Sequence, residues 1–372
     1  MNAAYLDFNA TAPIRPEAAA AAAAALAVGG NPSSVHAAGR RARQIVDEAR
    51  DAVAALVGVP ADGIVFASGA TEANATALAG FPGRRLIVAA TEHVSVLESA
   101  KANGATTSVV PVDGDGLLRL DALEAALDAD PTPALVSVML ANNETGLVQP
   151  IAEIARLAHA VGALLHCDVV QAVGRMPVDL AALGIDIATL SAHKIGGPQG
   201  AGALALRPGL SIRPLVRGGA QEGRRRGGTE NLSGVAGFGA AARAAKREAG
   251  ANRQDWRERF EAALRAVDPT ATIFAGKAPR LWNTVSIAMP GVPAETQVIA
   301  LDLAGVAVSA GSACSSGEVE RSHVLEAMGV APELAGSAIR FSLGWSSRPA
   351  DIDRAVEAWT ELRQRTWTRA AA

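Results

Sequence analysis

Short apolar runs alternate along this chain with longer stretches of helical periodicity. Ile64–Ser68, Leu86–Ala90, Ala134–Leu140, Ala163–Asp168 and Ile187–Ser191 are nearly continuous apolar runs, the pattern of buried strands. Between them, Ile45–Leu56 and Ile151–Val161 repeat apolar residues every three or four positions, as in Ile151, Ile154, Ala155, Ala158 and Val161. The alternation predicts βαβ units, a mainly parallel sheet and a large three-layer α/β domain. No repeat of roughly 20–50 residues is present, which excludes solenoids and propellers.

The character changes near Gly250. A long Ala- and Arg-rich helix is followed by an apolar run at Asn283–Met289, a helix near Ala294–Leu303 and a strand at Val306–Ser309. Ile339–Leu343 and a last helix from Ala350 complete the pattern of a small α+β domain. The expected division is 13–250 for the large domain, with 1–12 and 251–372 forming the small one.

Nearly every strand of the large domain ends in a polar cluster. Ser68-Gly-Ala-Thr-Glu72, Thr91-Glu-His93, Asn142-Asn-Glu-Thr-Gly146, His166-Cys-Asp168 and Ser191-Ala-His-Lys194 follow five successive runs. Open α/β sheets bind ligands outside the carboxyl ends of their strands, so these clusters mark one site.

Composition narrows the rest. Of 372 residues, 49% are apolar and 19% charged, which excludes intrinsic disorder. The net charge of −3 gives no basic field for nucleic acid or an anionic membrane. Two cysteines exclude a disulfide framework and fit a reducing compartment. The opening residues lack the basic segment of a signal peptide, and Ala18–Ala25 is too short and too weakly apolar to span a bilayer. A soluble, cytoplasmic protein is expected.

Lysine is scarce: Lys101, Lys246 and Lys277 sit in surface-like contexts, but Lys194 closes an apolar strand. A lysine at a sheet's carboxyl edge can lose its proton and form a Schiff base. Asp168 ends the preceding strand. It is either a plain ion-pair partner for Lys194 or the carboxylate that keeps the ring nitrogen of pyridoxal phosphate protonated. Ser68–Glu72 reads equally as a phosphate cradle at a helix N-terminus or as an ordinary capping box. Ser191 and His193 offer further donors to the same anion. His93 could stack on a cofactor ring and move protons, or be a structural histidine. Gln171 could bind the cofactor's phenolic oxygen, or be a common loop amide.

Cys314 lies in Val308–Gly317, a run of small residues that predicts a mobile loop bearing an accessible thiol nucleophile. Cys167, inside a strand, reads as an inert small hydrophobe. Arg340 stands in an apolar strand with no acid nearby in sequence. An arginine so placed, expected to lack a protein partner, suits a substrate carboxylate.

Taken in order, these motifs resemble the cysteine desulfurases, class V of the aminotransferase-like pyridoxal enzymes. Tyr5–Thr11, Asn31–His36, Ser68–Asn74, Thr91–His93, Asn142–Gly146, His166–Gln171, Ser191–Lys194, Gly227–Glu230 and Gly311–Cys314 carry the resemblance nearly end to end. It implies fold type I of the pyridoxal-phosphate transferases. It further implies conversion of cysteine to alanine, with the sulfur passing to Cys314 as a persulfide and on to acceptors for iron–sulfur assembly. Lys194 would carry pyridoxal phosphate, Asp168 and Gln171 would bind its ring, and His93 would stack on it. Asn143 would lie near cofactor and substrate, and Ala70, Thr71, Ser191 and His193 would bind the phosphate. Thr229 would reach the phosphate of a neighbouring subunit, making a homodimer, and Arg340 would clamp the substrate. Cys314, as persulfide, would be a transient ligand to iron. The small residues around Cys314 resemble the long-loop branch, which includes nitrogenase-associated and housekeeping enzymes. Thr11-Ala12, Phe8 and Gly197 depart from the usual pattern without removing a catalytic group. Selenocysteine lysis, another transamination or elimination, and a non-enzymatic sulfur carrier are the alternatives. A transaminase has no use for Cys314, and a carrier has none for Lys194, Asp168 and His93.

Overall fold

A computed structural model describes residues 3–251, 253–311 and 321–370. Its strands are β1 (Ala4–Tyr5), β2 (Ile64–Ala67), β3 (Arg85–Ala89), β4 (Thr107–Val110), β5 (Ala134–Ser137), β6 (Leu164–Asp168) and β7 (Ile187–Ser191). They continue with β8 (Gly202–Leu206), β9 (Thr272–Ile273), β10 (Thr284–Ala288), β11 (Val306–Ala307), β12 (Ser309–Ala310) and β13 (Ala338–Ser342).

Seven of these form one sheet in the order β2-β8-β7-β6-β5-β3-β4. β3 through β7 pair in parallel, while β8 runs antiparallel to both β7 and β2. Both faces are covered, which is why its strands read as unbroken apolar runs. Along β3, Ile87 packs into one core, while Leu86 and Val88 pack into the core on the opposite face. This is the three-layer, mainly parallel α/β arrangement expected from the alternation. The carboxyl ends of β2, β3, β5, β6 and β7 share one edge.

Helices Pro16–Leu26, Ala37–Val57 and Leu232–Glu248 pack together on one side. Ala37–Val57 starts well before the expected Ile45, because the His36 ring caps it by accepting from Gly39 N at 3.3 Å. Arg-rich Ala37–Gln44 carries no apolar period that would have announced this extension.

A four-stranded antiparallel sheet (β12-β13-β10-β9) and the parallel pair β1-β11 lie beyond. Their core joins Leu6 from the N-terminal segment to Phe260, Ile287, Ile339, Phe341 and Trp359. Phe341 meets Phe260 and Trp359 edge to face, with centroids 5.0 and 6.3 Å apart. The expected strand Val306–Ser309 is broken at Val308: β11 pairs with β1 and β12 with β13, so the chain changes sheets there. Asn9 stitches the two regions. Its N–H donates to Ser342 Oγ (2.9 Å), and its amide donates to Thr284 Oγ1 (2.9 Å) and Asn143 O (3.0 Å). Among the described residues no helix is long and apolar enough to cross a membrane.

Candidate active site

A cleft of about 560 Å³ opens at the shared carboxyl edge. It is lined by Ala70, Thr71, His93, Asn143, Asp168, Gln171, Ser191, His193, Lys194 and Arg340, so ten sequence-predicted residues converge on it. Thr229 is exposed and does not line it. Cys314 lies outside the described residues; Gly311 and Arg321, on either side of that segment, both border the cleft.

Lys194 sits on a short 3-10 turn, Ala192–Ile195, directly after β7. The turn ends at Gly196, whose φ of 82° is the left-handed conformation that glycine takes without strain. Lys194 Nζ donates to the backbone carbonyls of Asn9 (2.5 Å) and Ala10 (2.9 Å). Burial, reinforced by the positive charges of Arg340 and Arg175, lowers its pKa from 10.5 to about 8; Asp168 and Asp7 oppose this. An amine so placed can exist in part without its proton near neutrality.

Asp168 ends β6, next to β7 in the sheet, and lies close enough to Lys194 to act on its charge. Its Oδ2 accepts from Asn74 Nδ2 (3.0 Å) and its Oδ1 from Val170 N (3.0 Å). Asn74 Nδ2 also donates to Ser95 Oγ (2.9 Å), which lies 2.8 Å from His93 Nδ1. Ser95 N–H donates to the same Nδ1 at 3.1 Å, so the network assigns the ring proton to Nε2. Burial and the charge of Lys194 lower the His93 pKa, against the pull of Asp168. The pKa of His193, which lies 3.1 Å from Thr11 Oγ1, is pushed down to about 4, mainly by burial. Both rings are neutral at physiological pH.

The anion cradle follows β2. Helix Ala70–Ala79 begins at Gly69 with no side-chain cap, so the capping-box reading of Ser68 is not what forms. Instead Glu72 accepts from Ser68 N (2.9 Å) and pairs with Arg226 at 2.9 Å. The helix's first N–H groups lack intrahelical acceptors and face the cleft end of the sheet. β8 approaches closely here: a Cβ on Gly202 would stand 2.6 Å from Gly69 Cα, so only glycine fits. Ser191 Oγ is buried and has no hydrogen-bond partner. A buried, unsatisfied hydroxyl beside a free helix N-terminus has the donor chemistry for a phosphate. With Lys194 and Asp168 alongside, these residues fit pyridoxal phosphate.

Arg340 corrects one expectation, since it is not without a partner. Nη2 pairs with Asp7 at 2.8 Å and Nη1 donates to Asn143 O at 3.1 Å. Asp7 is distant in sequence and is brought there by the N-terminal segment, which no local pattern announces. Arg340 Nε remains without an acceptor. Cys167 is fully buried and its thiol pKa is pushed well up by burial, as an inert packing residue requires.

Asn9, Asn74, Ser95, Glu144, Arg175 and His323 also belong to the site's hydrogen-bond network or its surroundings, without a local sequence signal for that role. Glu144 accepts from Ser322 Oγ at 2.5 Å, and burial raises its pKa. His323 Nε2 lies 2.9 Å from Glu92 O. Asn9, Asn74 and Glu144 lie within motifs visible in the sequence, but their partners come from other elements, and Ser95, Arg175 and His323 lie outside those motifs. Among the described residues no His, Cys, Asp and Glu cluster could hold a metal.

The aminotransferase class-V family profile matches residues 4–355. The chain is 46% identical over 369 residues to a cysteine desulfurase of Cereibacter sphaeroides, covering 96% of this chain and 95% of that protein. Among solved structures it is similar to a NifS-like protein from Rickettsia africae ESF-5, with a TM-score of 0.90 and 35% identity across 98% of this chain and 100% of that one. SspA in complex with cysteine is similar over 91% of this chain and 98% of its own, at a TM-score of 0.80 and 27% identity.

Proposed function

The chain belongs to the aminotransferase class-V family, and from that premise we propose that it is a pyridoxal-phosphate-dependent cysteine desulfurase. The observation that carries this is the pairing of an easily deprotonated Lys194 with an orphaned Ser191 hydroxyl in one cleft. A lysine needed only for an ion pair would keep its ordinary proton affinity, and a buried hydroxyl needed only for packing would find an acceptor.

In this reading Lys194 holds the cofactor through Nζ, and Ala70, Thr71, Ser191 and His193 bind its phosphate. Asp168 and Gln171 bind the ring, His93 stacks on it, and Asn143 lies beside it. When bound, pyridoxal phosphate supplies an electron sink that acidifies the α-carbon of an amino acid and loosens its β-substituent. Arg340 orients the substrate carboxylate, with Nε as its free donor. Lys194 Nζ and neutral His93 are the proton carriers. The Cys314 thiolate takes the substrate's sulfur, so that cysteine and one thiol become alanine and one persulfide, atoms balancing.

Iron–sulfur assembly proteins are the proposed sulfur acceptors, with iron as cargo touched transiently at the Cys314 persulfide. A homodimer in which Thr229 reaches the second copy's phosphate suits that residue's exposure. Residues 13–250 are read as the cofactor domain, and 1–12 with 251–372 as the domain bearing Cys314.

The test is to supply L-cysteine and a reductant, then follow alanine and sulfide. Cys314→Ala should abolish both while the bound cofactor's colour stays, and Lys194→Ala should lose the covalent cofactor. Alanine formation at the normal rate by Cys314→Ala would overturn the reading.

A further inference from the structure

Arg175 lies on the turn after β6, is buried, and makes no contact with a carboxylate. Nη1 donates to Gln171 O (2.7 Å) and, in a short contact, to Gln171 Oε1, while Nη2 donates to Phe8 O (3.4 Å). Among the described residues no acid is within ion-pair distance of it. A buried guanidinium without a counter-charge is costly, and an apolar side chain would pack the site more cheaply.

Two features give that charge a use. Because Gln171 Oε1 is taken by a guanidinium that can only donate, the carboxamide must turn its Nε2 the other way. Nε2 donates to Asn9 O at 3.1 Å, the same carbonyl that receives Lys194 Nζ at 2.5 Å. In addition, Arg175 and Lys194 both line a small cavity of about 30 Å³ behind the cleft, with Phe8, Trp282 and Trp345.

We propose that Arg175 is a positioning residue for this site: it fixes Gln171 as a hydrogen-bond donor toward the cleft and holds an unpaired positive charge behind Lys194. The proposal rests on the cofactor reading for the importance of Lys194, but its test does not.

The groups facing Lys194 are Arg340, Arg175, Asp168 and Asp7, with His193 and His93 on the cleft side. Arg15, Arg253 and Glu248 line the small cavity. Arg15 is paired with Glu248 at 2.6 Å and Arg340 with Asp7 at 2.8 Å, so these two charges have counter-ions, while Arg253 stacks on Trp256 and Trp282 at 5.2 Å. Arg175 has none. Its field therefore reaches the amine uncompensated and favours the unprotonated form.

The cofactor-free full chain is labelled with acetic anhydride across a pH series. Acetylation of Lys194 is read by peptide mass spectrometry against exposed Lys277. Arg175→Gln removes the charge but keeps an amide donor for Gln171, whereas Arg175→Lys keeps the charge. In wild type the labelling midpoint should lie near pH 8. Arg175→Gln should lower Lys194 labelling at neutral pH by about three- to tenfold, since each tenfold corresponds to one pH unit in midpoint. Arg175→Lys should stay close to wild type. Wild-type labelling in Arg175→Gln would overturn the proposal, and so would an equal fall in both variants, which would mark a packing role. A wild-type chain that binds no cofactor would sink the proposed function and leave this result standing.

Discussion

Replacing Lys194 by Met should stabilise the cofactor-free chain at neutral pH, by an amount that shrinks as pH rises. The amine is held with a pKa of about 8 where its ordinary value is 10.5. At ~1.4 kcal/mol for each tenfold change in proton affinity, that difference is worth at most about 3.5 kcal/mol. The sign follows from where the protons sit. Below pH 8 both folded and unfolded chains carry the proton, and the folded state bears the whole cost of a half-buried ammonium. Above 8 the folded state sheds its proton while the unfolded state keeps it to about 10.5, so wild-type stability rises relative to the variant. Met keeps the aliphatic stem but forfeits the bonds to Asn9 O and Ala10 O, which offsets about 1–2 kcal/mol of the gain. The diagnostic quantity is therefore the pH dependence, in which those bonds largely cancel. Pulse proteolysis in urea at pH 7 and about 9.5 should show the variant's advantage falling by roughly 2 kcal/mol. An advantage that is the same at both pH values would refute the claim that burial lowers the proton affinity of Lys194.

Ser191→Ala removes a hydroxyl with no protein partner. The cofactor-free chain should lose no thermal stability, while pyridoxal phosphate affinity, followed by absorbance titration, should weaken by about tenfold. Arg340→Lys gives up the free Nε and the planar fork. KM for cysteine should rise by roughly ten- to a hundredfold in steady-state assays, with the cofactor spectrum unchanged.

The inner strands of the sheet are legible because they are buried on both faces, and such strands advertise themselves as apolar runs. The apolar run Ile187–Ser191 coincides with β7. The apolar run Ala134–Leu140 outlasts β5, which ends at Ser137, although Val138 N and Leu140 N still bond to His166 O and Asp168 O. β4 and β8 leave no such run in the sequence. Thr107–Val110 is an edge strand with Val109 exposed, and Gly202–Leu206 is so rich in glycine and alanine that it carries little strand signal. The strand-end clusters are legible because chemistry has to sit at that edge: Asp168 ends β6, and Lys194 follows the neighbouring β7 on a short 3-10 turn. What joins them was not. The Asp7–Arg340 pair, the Asn9 carbonyl under Lys194 and the Phe8 carbonyl under Arg175 are contacts between distant segments. Such contacts are set by tertiary packing, which leaves no periodic trace in a single chain.

The central claim is that sulfur leaves cysteine for the thiol of Cys314. Sulfur-labelled L-cysteine, given to the cofactor-loaded protein without reductant, tests it most directly when alanine is quantified and the protein is alkylated and peptide-mapped. The account predicts one labelled sulfur on the peptide containing Cys314, none on Cys167, and alanine released in equal amount. Alanine formed with no label on Cys314, or label retained there without alanine, would contradict it.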